Sequence, residues 1–168
     1  MKESRLTTKR YSKSQIAIEH AYQVRDRSPK TWVFWIHASN AMRYEQSFRE
    51  LADLARIFRR RNPQNNIFQL VQSWLRSEKS GKWVIILDNV DEADFLVDSQ
   101  RNLYQGGSNN VHQAPLISYI PHCQNGSVLI TSRSGRVARE LVEPRNIITI
   151  EPMSQVDALS LIRKKSEN

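Results

Sequence analysis

"KWVIILDNVDEADFL", residues 82–96, decides the reading of the fold. From Val84 to Leu87 the run is unbroken apolar, and it stops at an acid, Asp88. A strand with one wet face alternates apolar and polar residues, whereas a strand covered on both faces does not. The segment therefore reads as a buried strand that ends in a carboxylate. Three more segments read as strands: "TWVFWIHAS" at 31–39, "GSVLITSR" at 126–133 and "NIITIEP" at 146–152.

Between these runs the period changes to that of a helix. Over 14–26, Ala17, Ala21 and Val24 share a stripe, with Ile18 and Tyr22 beside it. Residues 41–58 give the clearest helix, since Phe48, Leu51, Ala52, Ala55 and Phe58 recur on one face. "NPQNN" then breaks the chain, and Ile67, Leu70, Val71 and Trp74 mark a third helix, closed by Gly81. Residues 98–113 are polar, contain Gly106-Gly107 and read as a loop. A short helix over 136–142 follows the third strand. The tail "SQVDALSLIRKK" begins a further helix, with Ser154 as N-cap and Asp157 three residues on.

Apolar strands alternating with amphipathic helices predict an α/β fold, a parallel sheet with helices on both faces. In such sheets function gathers at the C-terminal strand ends. Here these are Ser39/Asn40, Asp88/Asn89, Thr131/Ser132/Arg133 and Glu151. A hydroxyl, an acid and an arginine at adjacent ends suit a phosphate and a metal ion, although strand ends are polar wherever they meet water.

Composition narrows the class. A chain of 168 residues suits one domain. A single cysteine, Cys123, allows no internal disulfide and points to a reducing, cytoplasmic setting. His112, His122 and Cys123 lie close in sequence but lack paired-ligand spacing. No apolar run approaches ~18 residues, so no membrane contact is expected, and the N-terminus has no apolar signal core. The net charge of +8 gathers in "TKRYSK" (8–13), "RIFRRRN" (56–62) and "RKK" (163–165). Aromatics do not interleave with these runs in a stacking pattern, so solvated faces are the simpler reading and nucleic-acid binding the lesser one.

The strand ends also carry a known order. "KWVIILDNVDEADFL" resembles the Walker B segment of the NB-ARC family, the nucleotide-binding module of STAND signal-transduction ATPases and NOD-like receptors. "GSVLITSRSGRVAREL" resembles that family's sensor segment, and "IITIEPMSQVDALSLIRKK" its passage into the following helical domain. "KSQIAIEHAYQVRDRSPKTWVFWIHASNAMRYEQSFRELADLARI" is similar to the segment after the phosphate loop, especially in the fungal branch associated with tetratricopeptide repeats. The likeness covers roughly residues 12–165 and implies a P-loop NTPase-like sheet. It also implies a nucleotide-binding module over 12–152, the start of a helical domain over 153–168, and a non-homologous or degraded N-terminus over 1–11.

Matched residue by residue, the resemblance makes Ser12 part of the phosphate loop and Lys13 its lysine, directed at the β- and γ-phosphates. It makes Ser14 and Asp88 holders of Mg²⁺, and Arg133 the reader of the terminal phosphate. The ligand implied is ADP or ATP with Mg²⁺, and the inherited role is a nucleotide-dependent switch with protein partners on flanking domains. Two departures weaken this. Asn89 stands where a second acid would polarise the attacking water, and Asp91 is nearby but offset, a weak candidate for that role, so hydrolysis is expected to be negligible. The family's G-x-G-G-x-G reads Thr7-Thr8-Lys9-Arg10-Tyr11-Ser12 here, with no glycine. Each non-glycine residue forced into the left-handed region costs roughly 1–2 kcal/mol, so binding is expected to be weak or lost. No apolar strand precedes the loop, so the first central strand is expected to be missing, leaving edges unpaired between "SVLITSR" and "NIITIEP". A non-catalytic protein-interaction fragment is the alternative role.

Overall fold

The computed structural model describes residues 13–92, 94–98 and 114–151, with Ser154, Val156 and Leu159 beyond them. Helix α1 (Lys13–Arg27) leads into β1 (Trp32–His37), and α2 (Ala41–Leu54) and α3 (Ile67–Arg76) follow. Then come β2 (Trp83–Asp88), the single turn α4 (Asp94–Val97), β3 (Gly126–Ile130) and α5 (Gly135–Leu141). The strands form one parallel sheet in the order β1-β2-β3. Trp32 to His37 pair with Trp83 to Asp88, and Trp83 to Leu87 pair with Gly126 to Ile130.

β2 is the middle strand and all six of its residues are buried, which is why its sequence is a continuous apolar run. Its two faces enter different layers. Val84 and Ile86 pack with Ala17 and Ala21 of α1 and with Val33 and Trp35 of β1. Trp83, Ile85 and Leu87 face the larger core with Phe34, Ile36, Phe48, Phe68, Val71 and Leu75. Helices thus cover both faces, the layering expected from the sequence and consistent with a P-loop NTPase-like fold.

Local chemistry starts and stops the helices. The Asn40 side chain accepts from the Arg43 N–H and caps α2, whose buried stripe is Tyr44, Ser47, Phe48, Leu51 and Ala52. The Asn66 side chain accepts from the N–H groups of Phe68 and Gln69 and caps α3. Each such cap is worth about 1 kcal/mol. Helix α3 ends at Arg76, before Gly81. Gly81 instead closes a 3-10 turn over Glu78–Ser80, with φ at 61°.

Two expectations are corrected. The helix read over 41–58 ends at Leu54, and Phe58 is 79% exposed rather than part of the buried stripe. The chain leaves the helix through Arg56 at φ 50°, and this resets the register so that Ile57 turns inward instead. The strand read at "NIITIEP" does not form: residues 147–150 carry no strand pairing, and Ile148 is 80% exposed. A strand exists only where a neighbour supplies N–H and C=O groups. Among the described residues none lies beyond β3. The Trp83 N–H donates to the Asn125 carbonyl and the Thr131 N–H to the Leu87 carbonyl. The alternation of a parallel ladder therefore directs the backbone of Val128 and Ile130 away from β2. The polar loop expected over 98–113 lies outside the described residues except for Asp98, while Val156 and Leu159 of the tail are helical.

One corner of the sheet depends on a glycine for space. The Trp83 ring is buried and its Nε1–H donates to the Leu75 carbonyl at 3.0 Å. A Cβ on Gly126 would lie 2.1 Å from that ring. Gly126→Ala must displace the indole from its hydrogen bond and from the core. We expect the unfolding midpoint in urea to fall by the equivalent of about 1–3 kcal/mol. An unchanged midpoint would show that the indole does not pack on the Gly126 backbone.

Candidate functional site

The C-terminal ends of β2 and β3 meet the N-terminus of α1. Asp88 closes β2, and register sets it beside Thr131, one residue past the last ladder pair Leu87–Ile130. Asp88 is 9% and Thr131 7% exposed. The Asp88 Oδ1 accepts from the Thr131 hydroxyl at 2.6 Å and from the Ser14 hydroxyl at 2.7 Å. One carboxylate oxygen thus joins the second residue of α1, the middle strand and the strand beside it. Asp88 Oδ2 accepts no hydrogen bond from the described residues, and no buried side-chain oxygen or nitrogen among them lacks a partner, so Oδ2 reaches solvent.

Next, the chain turns sharply. Asn89 has φ 65°, a left-handed conformation that asparagine tolerates better than most residues. Its N–H donates to the Thr131 Oγ at 3.0 Å, and the Val90 N–H donates to the Thr131 carbonyl at 2.9 Å. Thr131 therefore both accepts and donates through one hydroxyl. Its role was visible in the sequence only as a polar strand end; the signal that could have found it is register, since pairing β2 with β3 leaves Asp88 opposite Thr131.

Asp91 lies on the same segment and holds Arg133. The Arg133 backbone N–H donates to Asp91 Oδ1 at 2.8 Å, Nε donates to Oδ2 at 2.7 Å, and Nη2 makes a second bond to Oδ2. Partial burial pushes the Asp91 carboxyl up. The hydrogen bonds from Arg133, then the charges of Arg133 and Lys13, outweigh it and hold the group below the usual carboxylate range. The guanidinium is raised in turn by its bonds to Asp91. Asp91 is thus an ionised ion-pair partner with both oxygens engaged, an arrangement unlike that of a free general base.

The predicted site residues are therefore largely brought together. Lys13, Ser14, Asp88, Asp91 and Arg133 share one edge of the sheet; Ser12 lies outside the described residues. Of the other strand ends, Asn40 serves as a helix cap, and the Ser132 hydroxyl accepts from the Ser134 N–H within the turn before α5. The donor set admits Mg²⁺ in part. A hydroxyl and a carboxylate with one solvent-facing oxygen are hard oxygen donors of the kind Mg²⁺ takes, usually with several retained waters.

The chain is 30% identical over 150 residues to a nucleotide-binding leucine-rich repeat (NLR)-like protein of Hyaloscypha variabilis. That match takes in 89% of this chain and 15% of the relative, so the chain spans a small part of the relative's length. No family model matches the chain, and no solved structure matches it.

Thr131→Val keeps the shape but leaves the Asn89 N–H and one Asp88 oxygen short of a partner. It should lower stability by about 1–3 kcal/mol, with Thr131→Ser recovering most of the loss; equal losses in the two would assign the effect to packing alone. The Asp91–Arg133 pair gives a pH test. A carboxylate whose folded pKa is depressed stabilises fully above its unfolded value of 3.8 and loses that contribution as pH falls through the lower folded value. Below about pH 4, stability should therefore fall more steeply in the natural chain than in Asp91→Asn. Identical slopes in urea melts across that range would contradict the pairing.

Proposed function

We propose that this chain is the nucleotide-responsive α/β module of an NLR-like signalling protein, with weak nucleotide binding and negligible hydrolysis. The observation that carries this reading is the convergence of Ser14, Asp88 and Arg133 at one sheet edge, with Lys13 beginning the helix that delivers Ser14. A phosphate group there would meet the Lys13 ammonium and the N–H groups of the first turn of α1. Mg²⁺, when bound, would screen the phosphate charge, with the Ser14 hydroxyl and Asp88 as its holders. Arg133 could reach a terminal phosphate only by leaving Asp91, so the ion pair competes with ligand. The name of the relative supports the same theme.

Weak binding follows from the sequence. Thr7 to Ser12 offer none of the glycines that bring backbone N–H groups against a phosphate. Asn89 cannot accept a proton from water at neutral pH, and Asp91 is committed to Arg133. A second reading, a surface for protein partners, is favoured by the outward backbone of Val128 and Ile130, with Val128 39% exposed.

Calorimetry with ADP and Mg²⁺ tests the proposal. The expected dissociation constant is no tighter than roughly 100 µM, about −5.5 kcal/mol, and Lys13→Ala should weaken it further. ATP turnover should match the background. Low-micromolar binding abolished by Lys13→Ala would overturn the weakness, and no binding at millimolar ADP would leave the partner-surface reading in its place.

A further inference from the structure

The arginine-rich segment 56–62 is not a solvated helix face. It is a built turn that holds an aromatic ring out of the protein. Ile57 anchors it in the core at 7% exposed, with its N–H donating to the Ala52 carbonyl at 2.9 Å. Arg56 and Arg59 sit at φ 50° and 61°, in the left-handed region that residues with a Cβ rarely occupy. Such outliers persist where surrounding contacts impose them. Here Arg60 supplies the contacts: its Nε donates to Asp53 Oδ1 at 2.6 Å and its Nη1 to the Ile57 carbonyl at 3.1 Å. The Asn65 side chain and the Asn62 N–H both donate to the Arg59 carbonyl, at 3.2 and 3.1 Å.

What this frame presents is Phe58, 79% exposed, and four residues before it the last residue of α2, Leu54, is 68% exposed. The Arg59 guanidinium lies 5.4 Å from the Phe58 ring centre. Arg61 is 84% exposed and only 3.9 Å from the Asp53 carboxylate that Arg60 already holds. Residues 53–62 carry four arginines against the single acid Asp53, a local surplus of three positive charges.

We propose that this turn docks on an anionic lipid bilayer surface, with Phe58 and Leu54 entering the interface and Arg56, Arg59 and Arg61 meeting the headgroups. An exposed apolar ring faced by one guanidinium, on a turn with a surplus of three positive charges, suits that boundary, where stems bury and charges stay wet. A single-stranded nucleic acid fits less well. It needs successive stacking platforms along a basic groove, and this turn offers one ring, already faced by Arg59. The contact is peripheral: no described helix is long and apolar enough to cross a membrane.

Co-sedimentation with vesicles decides it. The chain should bind phosphatidylserine-rich vesicles and not phosphatidylcholine vesicles, and added salt should release it. Arg59→Gln should weaken binding about fivefold. Phe58→Ser, which keeps the charge, should weaken it about tenfold; because the ring is exposed, near-UV circular dichroism should stay unchanged. Equal binding to both vesicle types, or binding indifferent to Phe58→Ser, overturns the proposal. So does poly(U) RNA binding the turn more tightly than the phosphatidylserine-rich vesicles do.

Discussion

A single carboxylate oxygen, Asp88 Oδ1, receives the hydroxyls of Ser14 and Thr131, and the arrangement of the sheet edge depends on it. Hydrogen bonds to a charged acceptor are worth about 1.5–3 kcal/mol, more than neutral ones. Through Ser14 the carboxylate fixes the N-terminus of α1. The small side chains of Ala17 and Ala21 then let that helix lie close over Val84 and Ile86. Through Thr131 it fixes the chain after β3, and the same hydroxyl receives the Asn89 N–H and so shapes the turn after β2. Helix, middle strand and neighbouring strand are registered at one point, and that point is where the candidate site residues meet.

Much of this was legible in the residues. The apolar run at 83–87 announced a strand covered on both faces, and the periodic stripes at 14–26 and 67–74 announced helices. Asn40 and Asn66 did not stand out as caps, because a cap is defined by where the helix begins. Phe58 was misread because it continues the stripe of Phe48, Leu51 and Ala55 in sequence; periodicity cannot see a residue leaving the helical region, as Arg56 does. "NIITIEP" was misread for a different reason. β-branched composition reports a fit to a pleated surface, but pairing needs a neighbour, and the described residues offer none beyond β3. The Asp91–Arg133 pair was invisible because the partners are 42 residues apart and meet only through sheet register.

The same geometry makes the proposed function a contest between internal and external partners. Arg133 is satisfied by Asp91, and Ser14 by Asp88. Under the proposed function a nucleotide with Mg²⁺ would have to displace or share both contacts, and without glycines before Lys13 it would gain little backbone donation in return. Asn89 shows how one residue serves two accounts. By comparison with an acid at that position it lacks a proton acceptor, yet in the fold its left-handed backbone is what turns Val90 into the core and brings Asp91 to Arg133. An aspartate could also take that conformation, so the choice of asparagine bears on the chemistry of this position and not on its folding.

Native-state amide exchange tests the central claim, that Asp88 and Thr131 close a joint at the end of a sheet whose outer edge, among the described residues, lies at β3. The joint predicts slow exchange at Asn89, Val90 and Thr131, whose N–H groups are all held within it. The edge predicts fast exchange at Val128 and Ile130, whose N–H groups point away from β2. Fast exchange at Asn89 and Val90, or protection of Val128 and Ile130 equal to that of Thr131, would contradict it.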